Sequence, residues 1–274
     1  MKSNLLKKSF ISLVGKIKKI NYRKYYLDNN LDKILKVKEF KKIEFEPNYI
    51  IDNFNKKYEP QILDLIRLHF ITKYMKSMTI LELGCGNSTL FLSDALKHNK
   101  KKFSTYIKKN LRKKNLFEIH SVDSNYKYIK LTKEKLKKKN LDNFAKITYS
   151  TSNITKYLGN ITSEFRKLPD ISPDFIYIDG PHRKDVLGEV DGISFKNDDR
   201  PLTSCDILKI ENLLIPGTLI LIDGLTNYSL FLKKNLKRNW AYKRLEKEDI
   251  SLFQLCDHSL GYLNDRYIKF ITEK

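Results

Sequence analysis

Short apolar runs alternate with amphipathic stretches along most of the chain. The run Thr79–Leu83 predicts a buried strand, which Gly84-Cys85-Gly86 ends before a helix from about Ser88 to Leu96. The same alternation predicts strands at Phe117–Val122, Ala145–Ser150, Phe175–Ile178 and Thr218–Ile222, and helices over Tyr126–Lys138, Thr203–Leu214 and Tyr228–Leu236. Strands that alternate with helices predict a doubly wound α/β fold, with a mostly parallel sheet covered on both faces.

Two apolar segments close the chain. Ser251–Cys256 and Arg266–Thr272 are separated by a loop that contains glycine. We interpret them as two strands paired in a C-terminal antiparallel hairpin.

The first 55 residues form a basic, partly helical extension, and residues 56–274 form the main domain, which opens with a helix at Pro60. Apolar residues of the extension fall at helical spacing, with lysines between them: Leu6, Phe10, Leu13, Val14 and Ile17. This pattern favours a helix packed on the main domain. The alternative is peripheral contact of residues 1–20 with an anionic membrane surface.

The formal charge of +21 suggests a polyanionic partner. Lysine supplies most of this charge, however, whereas arginine is the better reader of phosphates and bases. The composition therefore disfavours nucleic acid as the partner. Nine of the basic residues lie in Lys97–Asn115, which we interpret as a solvated surface helix; the alternative is an insert that binds an anion.

The cysteines indicate where the protein resides. Cys85, Cys205 and Cys256 are widely spaced and odd in number, which offers neither a disulfide framework nor a metal site. The chain also has no apolar run of membrane-spanning length and no signal peptide. We therefore expect a cytoplasmic protein.

The glycine turn after the first predicted strand is the main candidate for a ligand site. Gly84 and Gly86 allow a ligand to approach the backbone at the start of a helix. A dinucleotide site would need a further small residue where Thr89 stands, and Glu82 beneath the turn would repel a pyrophosphate. A cationic cofactor without phosphate, such as S-adenosylmethionine, suits that carboxylate better.

Asp123 ends the second predicted strand. An acidic residue there can accept hydrogen bonds from both hydroxyls of a ribose. The alternative is that Asp123 caps the helix that follows.

Four segments resemble motifs of class I S-adenosylmethionine-dependent methyltransferases: Ile80–Thr89, Asp123, Asp174–His182 and Leu214–Asp223. The resemblance covers roughly Tyr58–Lys274 and implies a seven-stranded Rossmann-like sheet whose last two strands form a hairpin. It implies that the glycine turn holds the methionyl part of the cofactor, that Asp123 holds the ribose, and that the loop 151–153 lies near the adenine. The expected cofactor site is Glu82, Gly84, Cys85, Gly86, Asn87, Ser88, Thr89, Asp123, Ser124, Ser152 and Asp179.

Three residues at the ends of the fourth and fifth strands are candidates for catalysis: Asp179, His182 and Asp223. Either His182 or Asp179 acts as a general base, or Asp179 and Asp223 bind a divalent cation that acidifies an acceptor hydroxyl. The second arrangement resembles catechol-type O-methyltransferases, in which an asparagine follows the second aspartate. Here Gly224 follows, which favours the base and leaves no metal site assigned. A third interpretation makes both aspartates strand-end caps and His182 a surface residue.

The absence of two motifs narrows the class of molecule that can accept the methyl group. The fourth strand lacks the tetrapeptide of adenine amino-methylases, and the chain has no Pro-Cys pair for attack on cytosine. We expect methylation of oxygen on a small molecule or glycan precursor, and the polar loop Arg183–Pro201 either selects that substrate or only connects two elements. Two alternatives stay open: a methyltransferase acting on RNA or another polyanion, and a non-catalytic module that binds S-adenosylmethionine.

Overall fold

The computed structural model describes residues 2–40, 61–197 and 199–273. Its α-helices are α1 (Lys2–Ile17), α2 (Tyr22–Asp28), α3 (Ile62–Tyr74), α4 (Asn87–Asn110), α5 (Tyr126–Lys138), α6 (Asp206–Ile210), α7 (Thr226–Asn235) and α8 (Tyr262–Thr272). Its strands are β1 (Thr79–Leu83), β2 (Glu118–Asp123), β3 (Ala145–Tyr149), β4 (Ser152–Tyr157), β5 (Asn160–Phe165), β6 (Phe175–Ile178), β7 (Val186–Leu187), β8 (Leu219–Asp223), β9 (Trp240–Leu245) and β10 (Ile250–Leu255).

The main sheet has seven strands in the order β3-β2-β1-β6-β8-β10-β9. The first five in this order run parallel, whereas β10 is antiparallel to both β8 and β9. The chain builds outward from β1 to β3 and then crosses to β6, so the strand order reverses beside β1. A reversal of this kind opens a crevice at the carboxyl ends of the strands. The structure confirms the predicted doubly wound fold.

Successive side chains of each central strand point to opposite faces of the sheet. In β1, Ile80 packs with α1, α3, α4 and α8, whereas Leu81 packs with α6 and α7. Every residue of β1 and β6 is buried. Continuous apolar strands of this kind are what a sheet covered on both faces requires.

The N-terminal helix α1 packs on the main sheet. Leu6, Phe10, Leu13 and Ile17 are buried in the same core as β1 and α8. The structure thus confirms packing on the domain, and the apolar stripe of α1 is not available to a membrane. The predicted boundary at residues 55–56 and the helix start at Pro60 lie outside the described residues.

The structure confirms a C-terminal antiparallel hairpin and its predicted strand Ser251–Cys256, which is β10, but the partner strand differs from the prediction. The partner is β9, and the segment taken for the last strand, Arg266–Thr272, belongs to helix α8. That segment is rich in aromatic and β-branched residues, which favour strands, but its buried residues Tyr267, Ile268 and Ile271 fall at helical spacing and lie on one side of a helix. The rings and methyls of Tyr267 and Ile271 pack so closely on Gly217 that a Cβ there would lie within 2.8–2.9 Å of them.

A second sheet of three strands, β5-β4-β7, was not predicted. The loop expected at residues 151–153 runs directly into β4, which pairs with β5 around the turn Leu158-Gly159. Polar residues dominate these strands, so their apolar signal is confined to Ile154 and a few neighbours. Much of the loop Arg183–Pro201 packs on this sheet through Val186 and Phe195.

The lysine-rich segment largely continues helix α4, which reaches Asn110 with most of its lysines exposed. This confirms the surface-helix interpretation for most of Lys97–Asn115. The helix predicted over Thr203–Leu214 is α-helical only in α6 and ends in a 3-10 turn, Glu211–Leu213. Within the described ranges, no helix combines the length and apolar character needed to cross a bilayer.

Candidate functional site

Four turns meet at the carboxyl edge of the main sheet. Leu83 of β1 lies opposite Val122 of β2 and Ile178 of β6, and Ile178 lies opposite Ile222 of β8. The residues that come next in the four strands are therefore neighbours at one edge: Gly84, Asp123, Asp179 and Asp223.

The turns after β1 and β6 touch through glycine. A Cβ on Gly180 would lie 3.1 Å from the Cα of Gly84, and Gly84 itself has φ +101°. Since a side chain would separate the turns at Gly180 and be strained at Gly84, the edge requires glycine at both positions. A Cβ on Gly86, in contrast, would meet no atom within 4 Å. The backbone at Gly86 therefore borders open space that a ligand can fill.

Glu82 is enclosed beneath the glycine turn. Its side chain is 0% exposed and accepts hydrogen bonds from Ser88 Oγ at 2.6 Å, from Thr89 Oγ1 at 2.7 Å and from Ser121 Oγ. Burial raises the pKa of Glu82 to about 7. Its three hydroxyl partners tie Glu82 to the turn, to the start of α4 and to β2. The expected contact between Glu82 and the cofactor stays a prediction.

The hydroxyls of Ser88 and Thr89 both donate to Glu82, and the expected contacts of these residues with the cofactor also stay predictions. The Asn87 side chain accepts a hydrogen bond from Lys135 Nζ at 2.9 Å. Burial raises the pKa of the Cys85 thiol, which disfavours its reactive thiolate form. The N–H groups of Cys85 and Gly86 donate to Asp123 Oδ2 and to Thr89 Oγ1. What the turn can offer a ligand is therefore the first backbone N–H groups of α4, which have no partner within the helix.

Asp123 joins the second strand to the glycine turn. Its Oδ2 accepts the N–H of Cys85 at 2.9 Å, and its Oδ1 accepts the N–H of Asn125 at 2.7 Å. Helix α5 is capped by Asn125 and not by Asp123, since the Asn125 side chain accepts from Lys127 N and Tyr128 N. The Cys85 thiol also hydrogen-bonds to this carboxylate. A carboxylate can accept about four hydrogen bonds, so Asp123 retains capacity for at least one more. Burial raises the pKa of Asp123.

Two serines near this edge are enclosed. The hydroxyls of Ser124 and Ser152 are buried without a hydrogen-bond partner in the described structure. Ser152 was expected in a loop near the adenine, but it begins strand β4 and is 0% exposed. Its expected place near the adenine stays a prediction.

Asp179 and Asp223 share a hydroxyl at the ends of β6 and β8. Tyr177 Oη donates to Asp223 Oδ2 at 3.0 Å, and its hydrogen bond also favours the charged form of Asp179. The Asp179 side chain is open to solvent, yet the surrounding protein desolvates it enough to raise its pKa. Desolvation raises the pKa of Asp223 as well, and repulsion between the two carboxylates adds to it.

The sequence did not reveal Asp64, Arg67 and Tyr177 as members of this cluster. Asp64 raises the pKa of both strand-end aspartates, whereas the Arg67 guanidinium lowers that of Asp223. Buried Arg67 pairs with Asp64 and donates to the hydroxyl of Tyr22 at 3.2 Å. The sequence did contain a clue to Tyr177. Residues two apart in a strand lie on the same face, and this spacing places Tyr177 beside Asp179.

His182 lies at the start of the short 3-10 turn 183–185. Its Nδ1 accepts the N–H of Lys184 at 3.2 Å. The choice between His182 and Asp179 as the general base stays a prediction.

The fold and the site define a doubly wound protein with a ligand crevice of glycine and aspartate at the switch in strand order. Residues 81–225, more than half of the chain, match the family model described as "Methyltransferase domain". The chain belongs to this methyltransferase family, which confirms the resemblance of the motifs. No curated protein matches the chain in sequence.

Several solved structures are similar. The SAH-bound methyltransferase PaMTH1 of Podospora anserina is 14% identical, with 78% of this chain and 90% of that chain covered and a TM-score of 0.46. The O-methyltransferase TomG of Streptomyces achromogenes, in complex with SAM, is 11% identical, with coverage of 86% and 99% and a TM-score of 0.43. An O-methyltransferase of Bacillus cereus in complex with SAH is 12% identical, with coverage of 85% and 99% and a TM-score of 0.40.

Proposed function

We propose that the protein binds S-adenosylmethionine and transfers its methyl group to an oxygen of a small molecule or glycan precursor. One observation carries the proposal: Asp123 is held against the glycine turn by the Cys85 N–H, and Asp179 opens to solvent at the same sheet edge. The cofactor and the base would then border one crevice.

The residues at the sheet edge fit the cofactor in shape and in charge. Gly86 leaves open space above the turn, and Asp123 retains acceptor capacity for a ribose hydroxyl. The edge also carries Asp123, Asp179 and Asp223, so a chain of net charge +21 presents a locally acidic crevice. Bound there, the cofactor would supply a methyl carbon activated by its sulfonium.

Asp179 is the proposed general base. A hydroxyl acceptor must lose its proton as its oxygen attacks the methyl carbon, and a carboxylate with a raised pKa accepts that proton better than an ordinary one. Tyr177 would hold both aspartates through its hydroxyl, and Asp223 would help to orient the acceptor. Gly224 offers no side-chain ligand after Asp223, which favours base catalysis over a mechanism that uses a divalent cation. Complete loss of activity on addition of a chelator would instead favour the cation mechanism.

The same features support the proposed partners and compartment. An acidic crevice suits a small acceptor better than RNA, which would meet repulsion at the reacting edge. Membrane contact would be limited to the lysine-rich outer face of residues 1–20, with Ile11 exposed on it. All three cysteines are unpaired, which supports a reducing compartment such as the cytoplasm.

Calorimetry with S-adenosylmethionine tests the site. Asp123→Ala should weaken binding by about 10-fold or more, because hydrogen bonds to a charged group contribute about 1.5–3 kcal/mol each. Asp174→Asn is the matched control: Asp174 also accepts backbone N–H groups, from Met78 and Thr79, but at the opposite edge of the sheet. It should lose stability and keep its affinity. Unchanged binding in Asp123→Ala would remove Asp123 from the site.

A further inference from the structure

A second cluster of chemistry-bearing side chains lies where helices α3 and α4 pack together. His69 comes from α3, and Asp94 and His98 come from α4. Within the described part of the chain, one ligand atom from each of the three lies within 4.8 Å of the other two. We propose that these residues form a zinc site, separate from the methyltransferase crevice.

The distances match those of a metal centre. Zinc bonds to nitrogen and oxygen are close to 2.0–2.1 Å, so two ligands of a tetrahedral ion lie about 3.3 Å apart. His69 Nε2 lies 3.1 Å from Asp94 Oδ2, and His98 Nε2 lies 3.6 Å from the same oxygen. Asp94 and His98 are four residues apart on one helix, a spacing that places two ligands on one face. The three atoms need only small shifts to surround one ion.

His69 is also held by a hydrogen bond with a residue outside the cluster. Its ring is fully buried, and its Nδ1 lies 3.0 Å from the hydroxyl of Tyr25. Histidine ligands usually donate their other ring N–H to a partner of this kind, which fixes the ring and leaves Nε2 for the metal. Tyr25 comes from α2, so the ring is held from the side away from Asp94.

The types of ligand select the kind of ion. Calcium and magnesium rely on several oxygen ligands, and the cluster offers one carboxylate, whereas its two imidazole nitrogens suit zinc. A cavity of about 440 Å³ beside the cluster is lined by His98 and by Lys73, Lys101 and Lys102. Three protein ligands leave the fourth position open, and a water or an anion would fit beside the lysines. Zinc at this place would tie α3 to α4.

Titration of the metal-free full-length chain with zinc chloride tests the proposal. Calorimetry should show one saturable site, and zinc should raise the midpoint of thermal unfolding, since a ligand of the folded state stabilises it. His98 is 44% exposed, so His98→Ala removes a ligand at little risk to the fold. This variant should bind zinc at least about 10-fold more weakly and lose the thermal shift.

His258→Ala is the matched control, because His258 is an exposed histidine outside the cluster. It should keep both the affinity and the thermal shift of the wild type. Tyr25→Phe should weaken zinc binding by about 10-fold while leaving one site, as expected for loss of a supporting hydrogen bond. Wild-type zinc affinity in His98→Ala, or no saturable binding by the wild type, would overturn the proposal.

Discussion

Substitution of Gly86 by alanine separates the fold from cofactor binding. The added Cβ would meet no protein atom within 4 Å, and the φ of 170° is extended backbone that alanine adopts. Gly86 is also the N-cap of α4, where alanine is less favourable than glycine by a few tenths to about 1 kcal/mol. Gly86→Ala should therefore fold normally and lose little stability.

The effect on the cofactor should be larger. If the methionyl part of S-adenosylmethionine lies against the turn, the new methyl occupies space that the ligand needs. Overpacking of this kind costs about 1–3 kcal/mol. Since about 1.4 kcal/mol changes a dissociation constant tenfold, the Kd should rise by about 5-fold to 150-fold.

The assay is calorimetric titration with S-adenosylmethionine and S-adenosylhomocysteine, beside thermal unfolding without ligand. Gly15→Ala is the matched control, because a Cβ there also meets nothing within 4 Å, on helix α1. It should bind both ligands like the wild type. If the Kd of Gly86→Ala stays within about twofold of the wild-type Kd, the added methyl costs far less than the ~1.4 kcal/mol of a tenfold change. That result would refute the placement of the cofactor on this turn.

Three further outcomes follow from the same geometry. Asp179→Asn should lower kcat for methyl transfer by about 10²-fold to 10⁴-fold and leave the Kd of the cofactor unchanged. Transfer is measured with radiolabelled cofactor and the best acceptor from a panel of hydroxyl compounds, and normal turnover would exclude Asp179 as the base. Tyr177→Phe removes a hydrogen bond that lowers the pKa of Asp179. The acidic limb of the pH profile of kcat/KM should therefore move to higher pH, and a limb that does not move would contradict this role of Tyr177. Glu82 has a pKa of about 7 in the folded chain against an ordinary 4.5, so its contribution to stability is greatest at low pH and falls as the pH rises to about 7. Urea unfolding of Glu82→Gln should lack that fall, which amounts to about 1.4 kcal/mol per pH unit, and equal pH slopes in both proteins would count against it.

Elements with strong local patterns were predictable from the sequence. Helix α5 and strand β6 have the predicted bounds, because amphipathic spacing and a buried apolar run define them without tertiary help. The placement of Asp123 and Asp179 at one edge was predictable too, since parallel strands end at the same side of a sheet.

Other features depend on contacts that no local pattern reveals. The sequence does not show that Ser121, from the neighbouring strand, reaches the carboxylate of Glu82. Strands β4 and β5 are mostly polar, and neither their pairing with each other nor the pairing of β4 with β7 is visible in a local pattern. Helix α8 is a different case, because the helical spacing of Tyr267, Ile268 and Ile271 was readable from the sequence and was outweighed by the aromatic and β-branched residues of the segment, which favour strands.

A crystal structure of the protein with S-adenosylhomocysteine tests the central claim most directly. The ribose hydroxyls should lie within hydrogen-bond distance of the two Asp123 oxygens, with the sulfur facing Asp179 across the crevice. A ligand seated away from the Gly84–Gly86 turn, with Asp123 still bound only to Cys85 and Asn125, would contradict the account.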